Sequence, residues 1–205
     1  MAWWKKSIPN FDLHSQDYVV LDTETTGFHQ KDDRVISVGF VRMRGSTILL
    51  KESMEWFVKS DFDLGSSPEI HGITGENLEN AISEWESIER LKSATKNAVV
   101  VAHYALFDRS MLSEMARRAN SDPLGNTWID TMDLQVALTP ALAENADFLK
   151  LDYLLSHYGI EAWARHTALG DAYSTALLLQ RQLSMLEEMG IREYKALPRA
   201  RRGLL

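Results

Sequence analysis

Cysteine is absent from the 205 residues of this chain. Its absence excludes disulfides, thiolate metal sites and a cysteine nucleophile. Any bound metal must take oxygen or histidine ligands, a set that suits Mg²⁺ or Mn²⁺. Long apolar runs are missing too: none approaches the roughly 20 residues that span a bilayer. The N-terminal segment Met1-Ala2-Trp3-Trp4-Lys5-Lys6-Ser7-Ile8-Pro9 has no signal-peptide apolar core. The expectation is a cytoplasmic protein with no membrane partner. Excess positive charge is also lacking. A net charge of −7 argues against a protein that coats nucleic acid by charge alone. There is no internal repeat and no low-complexity linker.

What is present is one substantial domain's worth of chain, 45% hydrophobic, enough for a single core. We expect a loose leader over residues 1–16, a domain over 17–190 and a basic tail over 191–205. In that tail Arg192, Lys195, Arg199, Arg201 and Arg202 face one acid, Glu193. The runs 18–24, 34–42 and 47–58, joined by short turns, read as three antiparallel strands. Ile82, Trp85, Ile88 and Leu91 recur at three-residue spacing and predict a helix with one buried face. Residues 98–102 are too short and valine-rich for a helix and read as a strand. A helix marked by Phe107, Met111, Leu112, Met115 and Ala119 follows. Then come a short strand at 128–130, helices at 131–138 and 150–157, and a last long helix from Gly170 to Met189. That helix turns Ala172, Ala176, Leu179, Leu183 and Leu186 to one face and has Gly190 as its C′ residue. The order implies a mixed sheet with helices packed on it, an α/β fold.

The chemistry concentrates at element ends. Asp22-Thr23-Glu24-Thr25-Thr26-Gly27 closes the apolar run 18–21. Alternate strand residues share a face, so Asp22 and Glu24 point the same way at the strand's carboxyl end. Such a pair persists best around a divalent metal, a basic side chain or a shared proton. His103-Tyr104-Ala105-Leu106-Phe107-Asp108 follows the second apolar strand. His166-Thr167-Ala168-Leu169-Gly170-Asp171 opens the last helix. Five residues at helical pitch turn roughly 500°, so His166 must sit on the loop before the helix and Asp171 in its first turn. Each motif also has a plain structural reading. Asp-x-Glu can be a solvated strand end, Asp108 a helix cap, His166 a surface histidine, and Thr74-x-x-Asn77 an imperfect capping box. Asp130, Asp133 and Asp152 are read as caps or as supports of the site rather than ligands. The tryptophans are read as core or surface anchors.

Taken together, from about Tyr18 to Gln182, these motifs resemble the DnaQ-like, or DEDDh, family of 3′–5′ exonucleases. That family includes the epsilon proofreading subunit of bacterial DNA polymerase III. The resemblance implies a ribonuclease H-like fold, with three antiparallel strands followed by parallel ones. It implies that Asp22, Glu24, Asp108 and Asp171 hold two divalent ions, Mg²⁺ or Mn²⁺, and that His166 is the general base. An unperturbed histidine pKa of about 6.5 suits that task. It implies that Thr25, Thr26, Gly27, Ile70, His71, His103 and Phe107 line the terminal nucleotide. The substrate would be the 3′ end of single-stranded nucleic acid, DNA ahead of RNA, and the product a nucleoside 5′-monophosphate. Two alternatives stand beside this reading: a catalytically idle nucleic-acid-binding or scaffold module on the same fold, and a ribonuclease H-like endonuclease. The basic tail is a candidate docking segment for a protein partner or a strand.

Overall fold

The computed structural model describes residues 10–60 and 67–197. Five strands, β1 (Asp17–Thr25), β2 (Val35–Arg44), β3 (Thr47–Phe57), β4 (Val99–Ala102) and β5 (Trp128–Asp130), form one sheet in the order β3-β2-β1-β4-β5. β1 pairs antiparallel with β2 and parallel with β4. β2–β3 is antiparallel and β4–β5 parallel. The helices are α1 (Pro68–His71), α2 (Gly75–Leu78), α3 (Glu84–Thr95), α4 (Ala105–Arg118), α5 (Thr131–Leu138), α6 (Leu151–His157) and α7 (Ala168–Glu188). No helix among the described residues is long and apolar enough to cross a membrane.

The two faces of β1 build two cores. Val19 and Leu21 pack with α3 and α4 through Ile88, Leu91, Met111, Leu112 and Met115. Tyr18 and Val20 pack with α7 through Ala172, Ala176, Leu179, Leu183 and Leu186. The strand is therefore apolar on both sides, as a central strand of a three-layer fold must be. By the same alternation Asp22 and Glu24 continue the α7 face, while Thr23 continues the α4 face.

α7 lies close to the sheet because its face is small and because β2 offers Gly39. A Cβ at Gly39 would come within 2.3 Å of the Ala168 carbonyl carbon and the Leu169 nitrogen. Gly39 is the register partner of Asp22, so the bare backbone at this point lets the start of α7 settle over the carboxyl end of β1. The helix ends as expected. Gly190 has φ +73°, and the N–H of Ile191 donates to the Leu186 carbonyl, the six-to-one bond of a glycine-terminated helix.

Two expectations need correction. Trp85 does not share the buried face of α3; it is 58% exposed. Three-residue steps drift by about 60° each on a helix, and the helix starts only at Glu84 with Ser83 as its cap. The buried set is therefore Ser87, Ile88, Leu91 and Thr95, and Ile82 bridges to Val58 outside the helix. The leader and tail also differ from a loose arrangement in their described parts. Leu13 is fully buried, its N–H donates to the Arg192 carbonyl, and the Tyr194 N–H donates to the Phe11 carbonyl. Phe11 and Tyr194 stack at 4.8 Å between centroids, and Arg192 pairs with Asp12 and Glu187. The apolar contacts of Phe11, Leu13 and Tyr194 fold residues 10–16 and 191–197 onto the domain. The rest of both segments lies outside the described residues.

Candidate active site

The carboxyl ends of parallel β1 and β4 open on the same edge of the sheet, where ligands of α/β sheets bind. β1 delivers Asp22 and Glu24 there, with a register irregularity between Glu24 and Thr25 that frees the chain to turn. α7 delivers Asp171 from its first turn, one residue after a close contact: a Cβ on Gly170 would meet the Ala164 carbonyl oxygen at 2.0 Å. Thr167 caps the helix, its hydroxyl accepting from Gly170 N–H. Carboxylate oxygens of Asp22, Glu24 and Asp171 lie within 4.8 Å of one another.

Asp108 reaches the same edge from the other layer. It is buried in the first turn of α4, and its Oδ1 accepts the Thr23 hydroxyl at 2.8 Å. It is not the cap of α4. The N-cap of α4 is Tyr104, with no cap from its own side chain; Asp130, the N-cap of α5, instead accepts the N–H groups of Tyr104 and Ala105 at 3.0 and 2.9 Å, and of Met132 at 2.9 Å. Asp130 thus ties the starts of α4 and α5 together. Asp108 stands outside the three-oxygen group because Thr23 points to the α4 side of the sheet while Asp22 points to the α7 side.

The electrostatics follow from crowding. Burial, then the charges of Asp108, Asp171 and Glu24, push the Asp22 carboxyl well above the ordinary range. Burial and Asp171 push Glu24 up to about 7. Burial pushes Asp108 up to about 7 against the Thr23 hydrogen bond that opposes the shift. Burial also raises Asp171, against the pull of Arg165. Four carboxyls that resist ionisation together are a site short of positive charge. The three clustered groups offer only oxygen, with no cysteine or histidine among them, and this donor set fits a hard divalent cation.

His166 is exposed on the turn before α7, with φ +63°, and its backbone N–H, beside the Asp171 carboxyl, opposes the upward shift of that group. The expected loop position is what the structure shows. The nucleotide-lining candidates divide. Thr25 and Thr26 spend their hydroxyl protons on the turn itself, Thr25 on the Gly27 carbonyl at 2.7 Å and Thr26 on Asp33 at 2.9 Å. Phe107 is half-buried beside the site, 6.0 Å from exposed Phe28 and stacked on Tyr104 at 6.5 Å. His71 is buried; its Nδ1 accepts the Ile73 N–H at 3.0 Å and its Nε2 has no partner among the described residues. A neutral His71 therefore carries its proton on Nε2. His103 is engaged on both sides, with Thr131 at 2.8 Å and with the Leu149 carbonyl. Burial pushes its pKa down to about 4, so it is a neutral strut. Ile70 belongs to α1, and its side chain lies outside the described residues.

Three contributors escaped the sequence reading. Arg165 pairs with Asp171 and, at 2.7 Å, with Asp152. Glu55 of β3 accepts the Leu169 N–H at 3.1 Å and so ties the edge of the sheet to the start of α7. Gly39 had a usable signal, since an isolated glycine inside a strand marks a bulge or a close backbone approach. The basic residues of β2 and of the end of α4 each have an acidic partner. Arg42 pairs with Glu52, Arg44 with Asp17, Arg117 with Glu114 and Arg118 with Glu84.

Residues 19–179 match the RNase T family model, described as exonuclease. The chain is 32% identical over 168 residues to the PolC-type DNA polymerase III of Latilactobacillus sakei, covering 82% of this chain and 11% of that one. It is 31% identical over 175 residues to the PolC-type DNA polymerase III of Thermotoga maritima, covering 85% and 12%. The chain thus spans only about a ninth to an eighth of these relatives' length. Among solved structures it is similar to E. coli Exonuclease I in complex with a dT13 oligonucleotide, with a TM-score of 0.72 and 21% identity over 85% of this chain and 42% of that one. That likeness gives the fold, which is ribonuclease H-like.

Proposed function

Because the chain belongs to the RNase T family of DnaQ-like 3′–5′ exonucleases, we propose that it hydrolyses the terminal phosphodiester bond at the 3′ end of a single nucleic-acid strand and releases nucleoside 5′-monophosphates. The observation that carries this reading is the meeting of Asp22, Glu24 and Asp171 within 4.8 Å, with His166 on the turn at their side. DNA is the favoured substrate, since the similar Exonuclease I structure is a complex with a DNA oligonucleotide. A single strand suits the site because its end can unstack.

Asp22, Glu24 and Asp171 would hold two divalent ions, Mg²⁺ or Mn²⁺, with Asp108 completing the set from the α4 side. Such ions, when bound, supply Lewis-acid stabilisation of phosphoryl charge and bring water into the range of deprotonation near neutral pH. The chain's own residues do the rest. His166 takes the proton of the attacking water as general base, from a loop position that faces solvent and can pass the proton on. The Nε2–H of His71, a buried donor without a partner among the described residues, donates to an oxygen of the terminal nucleotide. Phe107 packs against its sugar or base. The Thr25–Gly27 turn, rigid through its own hydrogen bonds, brings backbone close to the strand end.

A labelled single strand tests the reading. Mg²⁺ or Mn²⁺ should give a ladder from the 3′ end, excess chelator should stop it, and a 3′-phosphate or a circular strand should resist. Efficient cutting of the circle would favour an endonuclease, and full activity in chelator would remove the metals. His166→Ala should cost roughly 10²–10⁴-fold in kcat, the usual size of one general base, while metal binding survives.

A further inference from the structure

We infer that Arg165 is a positioning residue that occupies the carboxylate cluster in alternation with the divalent ions: it holds Asp171 when the ions are absent, and yields Asp171 to them while Asp152 retains it. The inference rests on the metal reading above.

The geometry provides two anchors at different depths. The guanidinium Nη1 pairs with Asp171, whose side chain is only 12% exposed, and Nε pairs at 2.7 Å with Asp152, which is 69% exposed. One fork therefore spans from the cluster to its solvent rim. Arginine's fixed donor geometry allows both contacts at once, or one without the other. The positive charge of Arg165 counteracts the upward shift of Asp22, Glu24 and Asp171 alike. It is the cation that this crowded site has when it holds no ion.

The backbone around it is unusual. Ala164 and His166, on either side of Arg165, both have positive φ, +46° and +63°. Such a conformation costs a non-glycine residue roughly 1 kcal/mol or more and persists where the surroundings enforce it. Here the Thr167 hydroxyl donates to the Ala164 carbonyl at 2.8 Å, and the His166 backbone N–H lies beside the Asp171 carboxyl. The turn's strain is thus held partly through the carboxylate that a metal would claim. A guanidinium and a divalent ion that compete for the same Asp171 oxygen, Oδ1, repel each other. Whatever draws Arg165 off Asp171 therefore acts on the backbone that carries His166, the next residue. Trp163, 59% exposed and edge-on to Tyr173 at 6.4 Å, lies two residues away and can report the movement.

The test is metal binding by calorimetry on the folded 205-residue chain without nucleic acid, using Mg²⁺ and Mn²⁺. Arg165→Gln should bind the ions about tenfold more tightly, because no cation has to be displaced. Its metal-free melting temperature should fall, and saturation with Mg²⁺ should shrink the gap to wild type. Asp152→Asn should weaken binding when Arg165 is present and change nothing in the Arg165→Gln background. Mg²⁺ should alter the fluorescence contributed by Trp163, defined by difference from Trp163→Phe, and Arg165→Gln should abolish that response. Arg165→Lys, which keeps the charge and loses the fork, serves if the glutamine variant does not fold, and should bind with intermediate affinity. Equal or weaker binding by Arg165→Gln or Arg165→Lys would make Arg165 a plain buttress and overturn the inference alone. No binding by the wild-type chain would overturn the metal reading and the inference together.

Discussion

Gly39→Ala places one methyl group between β2 and α7, and the structure sets its consequences. The new Cβ would stand 2.3 Å from the Ala168 carbonyl carbon and the Leu169 nitrogen, and 2.6 Å from the Ala168 oxygen. All three are backbone atoms, so no side chain can rotate away. Ordinary contact between carbons is about 3.5–4.0 Å, so the start of α7 must retreat by roughly 1 Å. Overpacking of this kind costs about 1–3 kcal/mol. Replacing glycine where φ is not positive returns about 0.4–1 kcal/mol through the unfolded chain. The net loss of about 1–2 kcal/mol should lower the melting temperature by about 2–8 °C for a domain of this size. Activity should suffer out of proportion. Asp171 is two residues beyond the clash and must meet Asp22 and Glu24, and a displacement of about 1 Å at reacting groups can cost about 10²-fold. The assay is kcat/KM on a labelled single strand beside calorimetric melting, with Gly125→Ala as control, since a Cβ at Gly125 meets nothing within 4 Å. A Gly39→Ala protein with the expected drop in melting temperature and activity within threefold of wild type would refute the argument that this contact places Asp171.

Other perturbations follow from the same picture. Asp22→Asn should abolish turnover yet raise the metal-free melting temperature, because it relieves repulsion from Asp108, Asp171 and Glu24; a less stable variant would contradict the crowding argument. The pH dependence has a defined sign. Glu24 and Asp108 hold their protons to about 7 in the folded chain but release them near 4 when unfolded, so metal-free stability should fall as pH rises from about 4 to about 7 and level off above. Mg²⁺ should cancel that fall by binding only the folded, ionised cluster, which urea titrations at pH 5 and 8 would check. Asp130→Ala removes three hydrogen bonds at the starts of α4 and α5 and should cost about 2 kcal/mol or more, read as a lower urea midpoint with unchanged slope.

The strands, their order along the chain and the placement of the acids at element ends were legible because each rests on local pattern. The valine-rich run at 99–101 reads as a buried strand without knowledge of its neighbours, and His166-x4-Asp171 locates a loop and a helix start from pitch alone. What escaped was long-range. Nothing beside Arg165 in the chain announces Asp171 and Asp152 as its partners until α6 and α7 converge. Asp108 looks like one more clustered acid until the alternation of β1 shows Thr23, not Asp22, facing α4. Trp85 was misplaced because a three-residue spacing resembles a helical stripe over two turns and departs from it over three. Leu13 and Arg192 are 179 residues apart, and no periodicity links them.

The pairing of the two described ends has a consequence for how such a module is used. Phe11 stacks on Tyr194, and the Lys195 N–H donates to the Asn10 side chain at 3.1 Å. The chain therefore enters and leaves the domain at one point, at the far end of α7 from Asp171. A unit with adjacent ends can be spliced into a surface loop of a larger polypeptide without stretching either side of the cut. The same closure hinders fraying, because neither end can peel away without breaking its contacts with the other. Portability and resistance to unravelling thus come from a single short pairing remote from the chemistry.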